Sequence, residues 1–358
     1  MQKKIIALAI AGFASTAAFA ADNVTLYGVA DAYIGSFSKD GAQRSTQVNS
    51  GGLAASRIGF KGVEDLGSGL KALFVLEYRL DIDGNNTIGG LTTNNNQTGG
   101  ARQQMIGLTG DFGTAVAGRL QTTAYDWAVK YDVLAGTAIS PLQYVVQPAA
   151  ASNAFLIGGT TPDARANNAL AYISPNLSGV TLAANYSFAV EEAGLNNAPS
   201  TKVGATLLSV TYDNGPLSAG LVYDAHSADQ AFYGISRTQS GKDWAFGASY
   251  NFGVATLKAT YQTTKVADAT GVAGNTDKAY SLGVTVPVTA AGTVVASYAK
   301  AKTDTDVTGL SDRKSWNLSY LQALSKRTTA YAGYQAKDSG AAVDAKSSAL
   351  VAGVNHKF

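Results

Sequence analysis

The sequence predicts an all-β protein, a 16-stranded antiparallel transmembrane β-barrel with an inward-folded third external loop. Three observations carry this prediction. The first twenty residues have the pattern of an export signal, and the rest of the chain divides into segments in which apolar and polar residues alternate. The connections between those segments also alternate between short and long. Together these features are characteristic of membrane-spanning β-barrels.

Residues 1–20 are predicted to be a secretory signal peptide that is cleaved during export. Lys3 and Lys4 precede an apolar run through Phe13, and Ala18-Phe19-Ala20 places small residues at positions −3 and −1 of a cleavage site. Residues 21–358 are therefore predicted to form one transmembrane β-barrel domain.

The composition is unusual for a soluble globular protein. The chain has 39 glycines, no cysteine and only 15% charged residues. Beyond residue 20 we find no apolar run of the ~18 residues that a membrane helix needs. Without Lys3 and Lys4, the 27 basic residues become 25 against 25 acidic ones, so a basic nucleic-acid surface is not expected. A soluble β-sandwich or solenoid is the alternative interpretation.

Period-two alternation bounded by turn residues predicts sixteen strands in order along the chain. The predicted ranges are 24–36, 53–63, 70–82, 101–110, 113–121, 167–174, 180–189, 204–212, 217–224, 243–251, 254–263, 278–286, 293–301, 314–322, 328–336 and 346–358.

The connections between these strands sort by length. Short ones include 64–69, 111–112, 213–216 and 252–253, and long ones include 37–52, 83–100, 225–242 and 264–277. Sixteen strands require eight long external loops and seven short periplasmic turns, with both termini on the periplasmic side. A soluble sandwich has no reason to sort its loops in this way.

Strand alternation predicts which face meets water. Arg57 and Lys61 share one face of their strand, and Ile58 and Phe60 share the other. Because an arginine in the middle of a membrane costs about 2–4 kcal/mol, the charged faces are expected to line a wet lumen. A barrel of about this size is too wide for side chains to fill.

The connection 122–166 is expected to fold back into the barrel and constrict it. It is rich in alanine and apolar residues and carries few charges, among them Asp126 and Asp132. Opposite these acids, strand alternation places a basic wall, and Glu77 is expected to point inward as well. The basic pore-wall residues are Arg57, Arg79, Arg102 and Arg119. The alternatives are a large surface flap for the loop, and simple solvation or pairing for each arginine.

The sequence resembles the general porins of Gram-negative bacteria, especially the beta-proteobacterial and neisserial type. The resemblance spans the mature chain and rests on short stretches that occur in the family's order. These stretches are Val24-Thr25-Leu26-Tyr27-Gly28, Ser56-Arg57-Ile58-Gly59-Phe60-Lys61-Gly62, Gly110-Asp111-Phe112-Gly113-Thr114, Tyr172-Ile173-Ser174-Pro175-Asn176 and Gly353-Val354-Asn355-His356-Lys357-Phe358.

This resemblance implies a sixteen-stranded homotrimer in the outer membrane, with one pore in each protomer and the third loop forming the constriction. It places Arg57 and Arg119 among the wall arginines, Glu77 as an inward carboxylate, and Phe358 as the signal read by the assembly machinery. Many of these porins carry a Pro-Glu-Phe-Gly-like stretch in the constriction loop, and this chain has none. The hypothesis that follows is passive diffusion of ions and small hydrophilic solutes with a mild anion preference.

Other functions find little support in the residues. Only His226 and His356 provide imidazoles, and neither lies beside a nucleophile or a cluster of metal ligands, so no enzyme activity, metal or cofactor is expected. A solute-specific channel or a barrel adhesin is the alternative function, although no passenger region is present. Outer-membrane lipid and lipopolysaccharide are the other expected partners.

Overall fold

The computed structural model describes residues 23–84, 100–146, 164–188, 204–226, 241–266, 276–302, 312–341 and 345–358. The predicted signal peptide lies outside the described residues. Within them the chain forms antiparallel β-strands and two short helices. The strands are β1 (Asn23–Lys39), β2 (Ser45–Ser50), β3 (Arg57–Gly67), β4 (Leu70–Arg79), β5 (Ala101–Gly110), β6 (Gly113–Gln121), β7 (Arg165–Ile173), β8 (Val180–Ser187), β9 (Ala205–Asn214), β10 (Leu217–His226), β11 (Gly241–Asn251), β12 (Thr256–Val266), β13 (Thr276–Pro287), β14 (Gly292–Lys302), β15 (Arg313–Ala323), β16 (Thr328–Asp338) and β17 (Lys346–Lys357).

The strands close into a barrel with sixteen positions. One edge of β1 pairs with β17, from Val29 opposite Lys357 to Lys39 opposite Ser347. The other edge pairs first with β3 and then, further along, with β2. Because β2 and β3 share one position, seventeen described strands fill sixteen places. This confirms the predicted sixteen-stranded antiparallel barrel and leaves no open sheet edge, which a membrane requires.

The connections lie at two ends, as predicted. Residues 68–69, 111–112, 174–179, 215–216, 252–255, 288–291 and 324–327 form the seven short turns. The strand ends that the longer connections join all lie at the opposite end of the barrel, and the longest connection in sequence joins β6 to β7.

The two faces of the barrel differ along each strand. On β11, the side chains of Trp244 and Phe246 are exposed on the outer face, while Ala245 is buried on the inner face. Toward the external end, seven aromatic residues lie on the outer face of β10–β16, and we call them the upper aromatic belt. They are Tyr223, Trp244, Tyr261, Tyr280, Tyr298, Trp316 and Tyr334. Such a belt is typical of the level where lipid headgroups begin.

The connection between β6 and β7 contains two helices that the sequence interpretation did not include, α1 (Thr123–Tyr131) and α2 (Pro141–Val146). Thr122 is the N-cap of helix α1, and its side chain accepts a hydrogen bond from the Tyr125 backbone N–H at 3.2 Å. Asp126 in its first turn and Lys130 in its last turn complement the helix dipole. Neither helix is long or apolar enough to cross a bilayer.

Both helices pack against the barrel. Helix α1 contacts β8–β12 and α2 contacts β13–β16. The Tyr131 ring lies over Gly220 and Gly247, where a Cβ atom would come within 2.7 and 2.4 Å of it. Both glycines belong to the strand face opposite Trp244 and Phe246, so this contact is made with the inner face of the barrel.

Polar contacts fix the same segment to the strands. Side chains of the barrel donate to its backbone carbonyls, which would otherwise lack partners near the ends of the short helices. The Arg313 Nε atom donates to the Val145 carbonyl at 2.9 Å, the Gln335 amide to the Ser140 carbonyl at 3.2 Å, and Lys258 Nζ to the Asp132 carbonyl at 3.3 Å.

Candidate pore-lining site

Glu77 is the centre of a charged group on the inner face of β1 and β3–β5. Arg102 Nε lies 2.6 Å from Glu77 Oε1, and Arg57 Nε lies 3.4 Å from Oε2. The Tyr27 hydroxyl donates to Oε2 at 3.1 Å. Glu77 is only 5% exposed, so the two arginines and the phenol replace the water that this carboxylate would otherwise bind.

Strand register explains how these side chains meet. Tyr27 pairs with Gly59, and Gly59 pairs with Glu77, so the three positions lie in a row across β1, β3 and β4. A Cβ atom on Gly59 would come within 2.5 Å of the Tyr27 ring. The absence of a side chain at residue 59 therefore lets Tyr27 cross β3 to reach Glu77.

Arg102 reaches Glu77 because of a β-bulge. Glu77 pairs with Gln103 and Tyr78 pairs with Ala101, so Arg102 is an extra residue in β5. A bulge re-aims a side chain that strict alternation would send to the other face. Gln103, its neighbour, is buried on the same inner face.

Arg79 is the arginine of this group that is most open to solvent. It lies opposite Arg57 in the strand register and has the same parity as Glu77. Its Nε atom is 2.7 Å from Asp81 Oδ1, and its side chain is 60% exposed. Arg57 and Arg79 therefore place two positive charges side by side on the inner wall.

Arg119 lies elsewhere, which differs from the sequence expectation. It pairs with Gln104, which pairs with Leu76, and both of these belong to the exposed outer face. Its guanidinium donates to the Ala101 carbonyl at 2.8 Å and to the Asn167 side chain at 2.6 Å. The expectation assumed that an arginine must face the wet lumen, but the register of β5 and β6 places it on the opposite face.

The two acids of the long connection have different surroundings. Asp132 is buried, accepting hydrogen bonds from the Ser140 hydroxyl at 2.7 Å and from the Leu134 backbone N–H at 3.2 Å. Burial raises the pKa of Asp132, although these hydrogen bonds act in the opposite direction. This carboxylate therefore organises the turn between α1 and α2.

Asp126 is exposed and accepts a hydrogen bond from the Gln121 side chain. Water reaches this carboxylate, but the surrounding barrel displaces bulk solvent and raises the pKa of Asp126 to about 6, while Gln121 and Arg165 act to lower it. Among the acids predicted on the loop, Asp126 is the one in contact with solvent.

Arg165 joins this region and was not singled out from the sequence. It is the first residue of β7, opposite Gln121, and is 8% exposed. Its guanidinium lies 4.8 Å from the centre of the Tyr125 ring, a cation–π contact with α1. Only its three-dimensional position distinguishes it, because in the sequence it is an isolated charge at the end of a long connection.

Asp31 is a second residue that the sequence interpretation missed. Its buried carboxylate accepts five hydrogen bonds, three from consecutive backbone N–H groups and two from β16 and β17. The donors are Gly52 N at 2.9 Å, Leu53 N at 2.9 Å, Ala54 N at 3.0 Å, the Tyr331 hydroxyl at 2.6 Å and the Asn355 amide at 2.7 Å. The Gly52 carbonyl also accepts a hydrogen bond from Ala138 N at 3.0 Å. Asp31 thus joins the barrel closure to the long connection.

Phe358 lies at the barrel closure. Its backbone N–H donates to the Gly28 carbonyl at 3.2 Å, and its carbonyl accepts from Gly28 N at 3.1 Å. The chain terminus is therefore part of the pairing between β17 and β1. Among the described residues, no group of three His, Asp or Glu side chains is arranged to hold a metal ion.

Comparison with known proteins agrees with this architecture. A family model described as Gram-negative porin matches residues 7–342. Outer membrane porin protein 32 of Delftia acidovorans is 33% identical over 340 residues, which cover 92% of this chain and 88% of that protein.

Solved structures have the same fold. The anion-selective porin from Comamonas acidovorans superposes with a TM-score of 0.76 at 28% identity, over 94% of this chain and all of that one. A trimer form of the outer membrane protein OmpT of Vibrio cholerae superposes with a TM-score of 0.64 at 18% identity, over 94% of this chain and 100% of that chain. The extent of the family match and the identity to the Delftia protein place this chain in the Gram-negative porin family, whose members are β-barrel channels of the outer membrane.

Proposed function

We propose that this porin is a diffusion channel for ions and small hydrophilic solutes with a mild preference for anions. The observation that carries the proposal is the excess of arginine over carboxylate on the inner wall of β3–β7. Arg57, Arg79, Arg102 and Arg165 belong to this group, whereas its acids are Glu77, Asp81 and Asp126.

The segment containing α1 and α2 narrows the lumen in this proposal. Its contacts with the inner faces of β8–β16 support an inward fold, because a loop lying over the external surface would not reach those faces. The hydrogen bonds from Arg313, Gln335 and Lys258 hold it against one side of the barrel. The arginine group then lies across the remaining opening.

The electrostatic consequence is a weakly positive constriction. Glu77 is enclosed by two arginines, so little of its charge acts on a passing ion, while the Arg79 side chain is open to water. The Asp132 carboxylate points into the segment that contains α1 and α2, where it accepts hydrogen bonds from Ser140 and Leu134. A unit charge about 5 Å from an ion in water changes its energy by about 0.8 kcal/mol, or roughly fourfold in permeability before salt screening.

The reversal potential under a salt gradient tests the proposal. Folded protein in a planar bilayer should show stepwise conductance and a reversal potential of anion-preferring sign. Arg79→Gln should reduce the anion-to-cation permeability ratio by about two- to fourfold. Arg327→Gln, in an exposed periplasmic turn, removes the same charge away from the arginine group and should leave the ratio unchanged.

A cation-preferring sign in the unmodified protein would contradict the charge assignment. A conductance that saturates with one solute would favour the alternative of a solute-specific channel. Correctly folded protein without conductance would favour the adhesin alternative.

The family resemblance implies a homotrimer, and the outer face of the barrel supports this proposal. The upper aromatic belt covers β10–β16, whereas the outer face of β5 and β6 presents Gln104 and Arg119 near the external end. Near the interface an outward arginine costs only about 0–1 kcal/mol against lipid, so the polar pair Gln104 and Arg119 is suited to contact with another protomer without being forced into one. We therefore place the protomer contacts on β1–β6.

Phe358 is proposed as the signal recognised by the outer-membrane assembly machinery. The family resemblance supports this role, although the backbone of Phe358 also pairs with Gly28 at the barrel closure. The two roles separate experimentally: Phe358→Ala should reduce assembly in cells while the purified chain still refolds into detergent. Equal loss in both measurements would assign Phe358 a structural role alone.

A further inference from the structure

Tyr27 is the uncharged member of the group of side chains around Glu77. Its ring lies over Gly59 on the inner face of β3, and the Lys61 Nζ atom is 5.6 Å from the ring centre. From this position the Tyr27 hydroxyl donates to Glu77 Oε2 at 3.1 Å. The phenol therefore crosses one strand of the wall to reach a carboxylate that already has two arginines beside it.

The two arginines contact Glu77 unequally. Arg102 Nε lies 2.6 Å from Oε1, a short charge-assisted contact, whereas Arg57 Nε lies 3.4 Å from Oε2. A hydrogen bond between a charged N–H group and a carboxylate normally measures about 2.7–2.9 Å. Arg57 is therefore close to the carboxylate but does not close on it, and the hydrogen bond to Oε2 comes from the Tyr27 phenol instead.

This division of the carboxylate accounts for the position of Arg57. A guanidinium that closes on a carboxylate favours two parallel N–H···O bonds, one to each oxygen. Arg102 holds Oε1 and Tyr27 holds Oε2, so this geometry is closed to Arg57. The Arg57 Nη1 atom donates instead to the Ala55 carbonyl at 3.3 Å, and 26% of the side-chain surface stays exposed.

We propose that Tyr27 is a positioning residue for ion preference. By holding Glu77 Oε2, its hydroxyl keeps Arg57 from closing on Glu77, so the Arg57 guanidinium stays available to anions in the lumen. Arg57 lies opposite Arg79 in the strand register, so both guanidinium groups act on the same part of the lumen. This inference deepens the proposed function and rests on it, because it assigns a part in ion preference to a side chain without charge.

The first test removes the hydroxyl alone. Folded full-length Tyr27→Phe is placed in planar bilayers, and the reversal potential under a salt gradient gives the anion-to-cation permeability ratio. Without the hydroxyl, Arg57 closes on Glu77 and part of its charge is withdrawn from passing ions. Because a whole unit charge changes the ratio roughly fourfold, we expect Tyr27→Phe to lower it by about twofold.

A double-mutant cycle separates positioning from a purely structural role. In Tyr27→Phe the Arg57 charge is already partly withdrawn, so adding Arg57→Gln should lower the ratio less than the same substitution does in the unmodified protein. The ratio of Tyr27→Phe/Arg57→Gln should therefore match that of Arg57→Gln alone. A phenol that only stabilises the barrel wall would show no such coupling.

Two further variants leave every charge in place. Gly59→Ala puts a methyl group within 2.5 Å of the Tyr27 ring and should displace the hydroxyl from Glu77, so its ratio should resemble that of Tyr27→Phe. Tyr320→Phe is the matched control. It removes a hydroxyl on the exposed outer face that donates to Gln322 Oε1 at 2.6 Å, and it should leave the ratio unchanged.

Three results would overturn the role of Tyr27. One is an equal ratio for Tyr27→Phe and Tyr320→Phe, and another is a higher anion preference in Tyr27→Phe. The third is an equal effect of Tyr27→Phe with and without Arg57, which would mean that the hydroxyl acts through Glu77 alone.

The proposed function is judged separately, from the sign of the reversal potential of the unmodified protein. A cation-preferring sign would reject the mild anion preference. The change expected for Tyr27→Phe keeps its direction in that case, so the double-mutant cycle still decides whether Tyr27 positions Arg57.

Discussion

Single residues decide whether the ends of this barrel meet correctly, and Asp31 is the clearest case. Its carboxylate binds three consecutive N–H groups between β2 and β3, while Tyr331 and Asn355 donate to it from β16 and β17. Buried acceptors of this kind are stabilising only when every donor keeps its partner. In the sequence, Asp31 is one acid within an alternating strand.

Replacing Asp31 by Asn should destabilise the protein by about 2–5 kcal/mol. The amide would present N–H groups to at least two of the five donors, and each buried donor without a partner costs about 1–3 kcal/mol. Urea unfolding in lipid vesicles, followed by tryptophan fluorescence, measures the change. Asp111→Asn, in an exposed turn, is the control, and equal stability of the two variants would contradict the structural role of Asp31.

Asp126 should make the ion preference depend on pH. Its pKa is raised to about 6, so it loses its negative charge as the pH falls from 7.5 to 5. If Asp126 lies at the proposed constriction, losing its negative charge increases the permeability of anions relative to cations, by up to roughly fourfold for one charge. Reversal potentials at the two pH values measure this shift. Asp126→Asn should abolish most of this pH dependence. If the ion preference of that variant still changed with pH as much as in the unmodified protein, other titrating groups would be responsible.

At the scale of elements, alternation predicts strands far better than it predicts the contents of loops. The predicted ranges 101–110 and 113–121 coincide with β5 and β6, because turn residues and period-two patterning bound them directly. Helices α1 and α2 were missed, since short helices depend on packing more than on their own propensity. Strand β2 was missed because its partner, the far half of β1, is set by barrel closure.

The position of α1 should depend on the size of the β11 side chain that lies beneath it. Gly247→Val would place atoms where the Tyr131 ring lies and push α1 toward the pore centre. We expect a lower single-channel conductance and a loss of about 1–3 kcal/mol in stability from overpacking. Ala248→Val adds a similar volume on the adjacent outer-face position and should leave conductance unchanged. Equal conductance of the two variants would contradict the contact between α1 and the inner face.

At the scale of the whole molecule, the outer surface divides into two sectors. One sector, β10–β16, carries the upper aromatic belt, as a lipid-facing surface requires. The other, β1–β6, presents Ile106 at 67% exposure together with Gln104 and Arg119. This difference between the two sectors is what the proposed trimer would produce.

Bulk added to the second sector should disturb the proposed trimer. Ile106→Trp lies on β5 within the proposed protomer contact, and a larger side chain there should lower the trimeric fraction on native gels and in light scattering. Leu282→Trp makes a comparable change on the exposed outer face of β13 and should leave assembly intact. Equal trimer content in both variants would place the protomer contact elsewhere on the barrel.

The sequence by itself determined the barrel, its number of positions and the ends at which loops and turns lie, because these depend on local alternation and turn residues. It also predicted inward positions for Glu77, Arg57, Arg79 and Arg102, but strict alternation would send Arg102 to the outer face. Only the tertiary structure decided which charges meet: a bulge brings Arg102 to Glu77, register puts Arg119 outside, and folding of the long connection brings Arg165 to Tyr125. Register, bulges and loop packing depend on contacts between residues far apart in the chain, and no local pattern records them.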